Sequence, residues 1–181
     1  MKTASLYTCL IAGALLALAG CATAPDTDAK KADLHTSAMN AMTRLKADDP
    51  TLSKQLADAY GYAIFPSVGK GGAVVGGAYG RGEVYEQGKR IGWADLSQAT
   101  VGAQLGGESF SELILFENKA ALDNFRKGGL KFAANASAVA LKSGVAESAK
   151  YTDGVAVFVE PKAGLMVEAA LGGQSFSFQP T

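Results

Sequence analysis

VGKGGAVVGGAYGRGEVY, residues 68–85, places seven glycines among eighteen positions. Read as a phosphate-cradling loop, the stretch implies a nucleotide-binding α/β protein. Read as strands, it implies a bent antiparallel sheet, and the spacing of its residues separates the two. In a Walker loop that used Gly69-Lys70, the first glycine would fall at position 64, which is Ile64, and the residue after the lysine would be Ser or Thr, which is Gly71. A dinucleotide fingerprint on Gly69 and Gly71 needs glycine or alanine at position 74, which is Val74, and no helical pattern follows. Both phosphate readings fail on spacing. What remains is an alternation of apolar positions broken by glycines, as in strands that bulge or bend sharply.

Working outward, the same device recurs. Residues 101–111, VGAQLGGESFS, align with residues 167–177, VEAALGGQSFS, at identical spacing, and the opening stretch is a weaker third copy in which Val75, Tyr79 and Gly80 replace Val101, Leu105 and Gly106. Ahead of this region, Leu34, Ala38, Ala41, Met42 and Leu45 recur at helical spacing and predict a first helix over 33–45. Asp49 as N-cap, with Pro50 at the first helical position, predicts a second over about 50–60, stopped by Gly61. Asn118 caps a third, with Leu122 and Phe125 on one face and Gly128-Gly129 as its stop. Residues 130–150 alternate enough for a strand and are alanine-rich enough for a helix, with strand the preferred of the two, and the run from Val155 reads as two strands joined by a turn at Glu160-Pro161-Lys162-Ala163-Gly164. The fold class expected is α+β: short helices packed on a strongly curved, mainly antiparallel, glycine-rich sheet, with closure into a barrel-like form left open.

The N-terminus reads as a targeting segment. Lys2 is followed by an uncharged run from Leu6 to Gly20, and Leu18-Ala19-Gly20-Cys21 resembles the bacterial lipobox, in which the cysteine is acylated and becomes the first mature residue. The expected division is a signal peptide over 1–20, lipidated Cys21 with a polar tether over 21–32, and a domain over 33–181. More than one acyl chain gives stable membrane attachment. Ala22 in place of Asp after the cysteine points to the bacterial outer membrane, with the protein facing the periplasm. Removal of residues 1–20 takes Cys9 away, so no disulfide is available. It also takes Lys2, one of the 17 basic residues, leaving 16 against 17 acidic ones, a balance that excludes bulk electrostatic binding of nucleic acid.

Nothing in the residues argues for catalysis, and no cofactor or metal is implied. The single histidine, His35, stands on the first helix without an evident nucleophile and reads as a surface or capping residue. Asp95, Glu108, Glu112, Asp123, Asp153, Glu160 and Glu168 show no paired spacing, and each reads as a solvated charge. Lys70, Arg81, Lys89 and Arg90 are the candidate headgroup-binding residues, with Arg126, Lys127 and Lys131 as a second basic group. As a patch or as ordinary solvated charges, the residues alone leave the first four evenly balanced.

From about Ala38 to Phe178 the chain resembles the SYLF domain, and within it the bacterial lipoprotein branch. The resemblance rests on Ala63-Ile64-Phe65-Pro66, Lys70-Gly71-Gly72, Gly80-x-Gly82, Trp93 and the segment from Gly102 to Gly106. It implies a non-enzymatic domain that binds membrane phospholipid, with anionic headgroups as the expected partner. Trp93 is followed by Ala94-Asp95-Leu96, where eukaryotic members carry a Ser and a nearby Pro, a departure that leaves their phosphoinositide specificity open for this chain. The alternative class is an envelope structural or protein-interaction module whose domain binds no lipid.

Overall fold

The computed structural model of the chain describes residues 25–72, 75–101, 106–130, 139–163 and 173–181. The expected signal segment, Cys21, Gly102, Lys131, Glu168 and Gly172 lie outside the described residues.

Two helices, α1 (Asp28–Asp48) and α2 (Leu52–Asp58), lead into four long strands, β1 (Gly61–Gly72), β2 (Val75–Glu86), β3 (Lys89–Val101) and β4 (Gly106–Phe116). Helix α3 (Lys119–Arg126), the short β5 (Val139–Ala140), a single helical turn α4 (Val145–Ser148), β6 (Val155–Ala163) and β7 (Gln174–Pro180) follow. The seven strands form one sheet in the order β5-β6-β4-β1-β2-β3-β7, antiparallel except for the β5–β6 pair. Its two edges do not meet, so the fold is α+β with an open sheet.

The sheet is nevertheless strongly curled. Strands β4 and β7 are four positions apart, about 19 Å in a flat sheet, yet Gln174 Nε2 of β7 donates a hydrogen bond to Glu112 Oε2 of β4 at 3.0 Å. The ring centroids of Phe65 on β1 and Phe176 on β7 are 5.9 Å apart. The face turned inward by this curl holds Phe65, Val68, Leu96, Phe110, Ile114 and Phe116, and α3 covers it with Leu122 and Phe125. Phe110 and Phe176, equivalent in the two LGG repeats, both enter this core. The outward face carries α1, α2 and α4 over Ile64, Tyr85, Leu113, Leu115 and Phe158.

Both register irregularities on β1 fall at Phe65-Pro66-Ser67. Pro66 has no N–H to give a ladder, and the bulge that accommodates it shifts the inward positions from Ala63 and Phe65 to Val68. Bare backbone is needed where the curl is tightest. A Cβ on Gly82 would meet the Ile64 carbonyl oxygen and come within 2.7 Å of the Phe65 ring.

Helices α1 and α3 start at capping side chains, whereas α2 has Thr51 and not Asp49 at its N-cap position, with no side-chain cap bond. Asn118 Oδ1 accepts from the Ala121 N–H at 3.0 Å, as expected of the α3 cap. Helix α1 begins at Asp28 instead of 33, because Thr27 caps it by accepting from the Lys30 N–H and two ion pairs, Asp26–Lys30 and Asp28–Lys31, brace its first turns. Residues 28–32 of the expected tether are therefore helix. Within residues 130–150 only Val139–Ala140 is a described strand, and residues 145–148 form α4. The turn expected at Glu160–Gly164 is not one: β6 continues through Ala163, and Pro161 stands opposite Phe110 beside a register shift in the ladder.

Candidate functional site

Glycines from separate segments converge at one end of the sheet. Gly71 stands between Gly77 on β2 and Gly107 on β4, and Gly72 between Gly76 and Gly106. Six glycines on three adjacent strands therefore make a block of bare backbone, next to which Lys70 pairs in register with Ala78 and Glu108. Lys70 is half-buried. It lies at the inward-facing register, the one occupied by Val68 and Ala78.

The four basic residues singled out in the sequence are not brought together. Lys70 stands opposite Ala78 of β2, whereas Lys89 stands opposite Glu86 of the same strand, eight residues or about 27 Å away. Arg81 lies between them, in the outward register, and donates from Nε to Asp95 Oδ1 at 3.0 Å and from Nη2 to the Tyr79 hydroxyl at 3.0 Å. Arg90 donates from Nη1 to Glu83 Oε1 at 2.6 Å. Two of the four are thus committed to internal carboxylates. In the second group, Arg126 packs over the Phe178 ring and faces Asp123 at 3.6 Å, and Lys127 is exposed beside it.

Where α1 crosses the outward face, a polar cluster forms around Glu83, which is fully buried. Its carboxylate accepts from Arg90 and, at 2.7 Å, from the Tyr85 hydroxyl, and it lies 3.0 Å from His35 Nδ1. Burial, and then the bond to Glu83, pushes the Tyr85 hydroxyl well above the usual tyrosine range. Trp93 stands opposite Glu83 in the β2–β3 ladder. The Lys31 ammonium lies 5.3 Å and the Arg90 guanidinium 5.4 Å from its ring centroid. His35 is therefore a docking residue of α1 on the sheet. Sequence reasoning missed Glu83 because its partners come from a helix 48 positions upstream and from across the turn that joins β2 to β3.

Three further acids depart from the solvated reading. Asp95 is buried against Arg81, and Glu160 is largely covered by Arg44, which donates from Nε at 2.9 Å. Glu112 is fully buried, and desolvation raises its pKa to about 7 despite the hydrogen bond from Gln174. A signal for it was present. In Glu112-Leu-Ile-Leu-Phe both alternating registers are apolar, which marks a strand covered on both faces.

Among the described residues, no three His, Cys, Asp or Glu side chains are placed to hold a metal ion, and no described helix is long and apolar enough to cross a membrane. An open, curled α+β sheet with a glycine block at one end is the class that the geometry defines. No family model matches the chain. It is similar to Beta cell expansion factor A of Aeromonas veronii, with 30% identity over 145 residues, which cover 79% of this chain and 55% of that protein. The chain thus spans about half the length of the curated relative it matches.

Proposed function

We propose that this is a SYLF-like, non-enzymatic lipoprotein of the bacterial envelope, anchored through acylated Cys21 in the outer membrane and facing the periplasm, whose domain binds phospholipid or a related amphiphile. The observation that carries this reading is the convergence of Lys70-Gly71-Gly72, one of the segments behind the resemblance, with glycines of the two neighbouring strands. Lys70-Gly71-Gly72 is flanked by Gly76-Gly77 on one side and Gly106-Gly107 on the other, so residues far apart in the chain build one surface. A backbone without side chains lets an acyl chain or headgroup approach more closely than a substituted strand would. Lys70 supplies the adjacent positive charge.

The anchor is tested by Cys21→Ser, which is expected to abolish incorporation of labelled fatty acid; undiminished label would refute it. Binding by the domain itself is tested by co-sedimenting a chain that starts at residue 22 with anionic vesicles. Association should weaken with salt as headgroup attraction is screened. Lys70→Gln should weaken it about fivefold, equivalent to the ~1 kcal/mol of one lysine near an anionic surface. Lys89→Gln, at the far end of the hairpin, should leave it unchanged. No sedimentation at low salt would favour a protein-interaction module instead.

A further inference from the structure

Among the described residues, Glu112 is the one acid on the inward face that sits fully inside the apolar core. In register beside it are Phe65 on β1 and Val159 on β6. Across the curl it meets Gln174 of β7. Phe176 on β7, Leu96 on β3 and Phe125 of α3 are further members of the same core, and Gln98 on β3 pairs in register with Gln174. The charged residues at inward registers of the strands around it are Lys70, Glu108, Glu86 and Lys89: Glu108 lies four residues along β4, about 13 Å away, and Glu86 and Lys89 stand in the row of Gly61 and Phe116, four residues along in the other direction. Those of α3 project from its outer side: Lys119 pairs with Asp123, Arg126 covers Phe178, and Lys127 is exposed. No cation pairs with Glu112 among the described residues.

The hydrogen-bond count for this pair is incomplete in one specific way. Gln174 Nε2 donates to Glu112 Oε2, while Glu112 Oε1 and Gln174 Oε1 are both buried and have no partner among the described residues. With an ionised carboxylate both orphans are acceptors, and neither can satisfy the other. A single proton on Glu112 Oε1, donated to Gln174 Oε1, completes a two-bond ring between acid and amide and leaves no orphan.

We infer that Glu112 is held as the neutral acid in such a ring with Gln174, and that the ring is a proton-operated clasp joining β4 to β7 across the curled sheet. Loss of the proton turns one of the two bonds into an opposition of acceptors and places an unpaired charge in an apolar core. Edge strand β7 then keeps its ladder with β3, the packing of Phe176 and the contact of Phe178 with Arg126. Releasing it uncovers the inward apolar face. The direction follows from linkage: the folded-state pKa lies above the ordinary glutamate value of 4.5. The clasp's contribution is therefore complete below that value and is lost as pH rises through about 7.

The test is hydrogen exchange of the β7 segment in the full chain, kept in non-ionic detergent and corrected for the intrinsic pH dependence of exchange. Protection should fall about tenfold or more between about pH 5.5 and about pH 8.5. Glu112→Gln, whose amide reproduces the two-bond ring without a titratable proton, should hold β7 equally at both. Unchanged protection in the wild type overturns the clasp, and so does a pH dependence that survives Glu112→Gln. If that variant does not fold, carboxyl carbon-13 spectra of glutamate-labelled wild type decide. One glutamate should remain protonated at about pH 6, where exposed glutamates are ionised, and the absence of such a signal overturns the assignment.

Discussion

Replacing Gly82 by valine is expected to destabilise the domain by about 3 kcal/mol or more, the upper range for forcing extra methyl groups into a packed interior. The new Cβ would press on the Ile64 carbonyl oxygen and the Phe65 ring, which lie on the facing strand beside the Pro66 bulge. Backbone cannot step aside there without breaking ladder bonds on both flanks of β1. The matched control is Gly69→Ala, three residues beyond the bulge, where an added Cβ meets nothing within 4 Å. That substitution should change stability by no more than about 0.5 kcal/mol. Urea unfolding of the two variants against wild type checks both values. A Gly82→Val protein as stable as Gly69→Ala would show that the curl does not depend on bare backbone at that position.

Asp49→Ala is expected to have a comparable effect through a different mechanism. The Asp49 carboxylate is fully buried and accepts four bonds: from the Thr51 N–H at 3.0 Å, the Thr51 hydroxyl at 2.6 Å, the Gly144 N–H at 3.1 Å and the Ala146 N–H at 2.6 Å. One side chain thus serves the start of α2 and the start of α4, segments some 95 residues apart. Removing it strands backbone donors at a buried junction, at about 1–3 kcal/mol for each group left unsatisfied, so a total of about 3 kcal/mol is expected. Burial by itself would raise the Asp49 pKa, but the donors from Ala146, Thr51 and Gly144 outweigh it and lower it to about 2. The stabilisation is therefore fully present above the ordinary aspartate value of 3.8 and is lost as pH falls through about 2. Acid titration of the unfolding free energy should show a shallower loss below about pH 4 in Asp49→Ala than in wild type. An unchanged acid limb would mean that another carboxylate controls it.

The two acids respond to pH in opposite senses for one physical reason. Asp49 is surrounded by N–H and O–H donors that favour the charged form, whereas Glu112 has one amide donor and an apolar surround that favours the neutral form. Residue type and local sequence do not distinguish these cases. The sequence reading counted Glu112 with the solvated acids and assigned Asp49 only the N-cap of α2, whose N-cap position Thr51 occupies.

What the sequence determined by itself is local. The glycine spacing of residues 68–85 ruled out a phosphate loop, the Asn118 side chain capped α3, and the helical recurrence of Leu34, Ala38, Ala41, Met42 and Leu45 named the residues that α1 turns to the sheet, the last four buried and Leu34 half-buried. These features are written in neighbouring residues, because a helix or strand period and a cap involve partners only a few positions away. The tertiary structure decided what covers each face. It separated Lys70 from Lys89 along a hairpin, turned Arg81 and Arg90 toward internal carboxylates, and brought Glu112 to Gln174 across 62 positions of chain. Alternation tells which side of a strand a residue occupies. How far the sheet curls, and therefore which strands meet across it, is set by the bulge at Pro66, by bare backbone such as Gly82, and by the packing of Phe65 against Phe176, and no single segment contains all three.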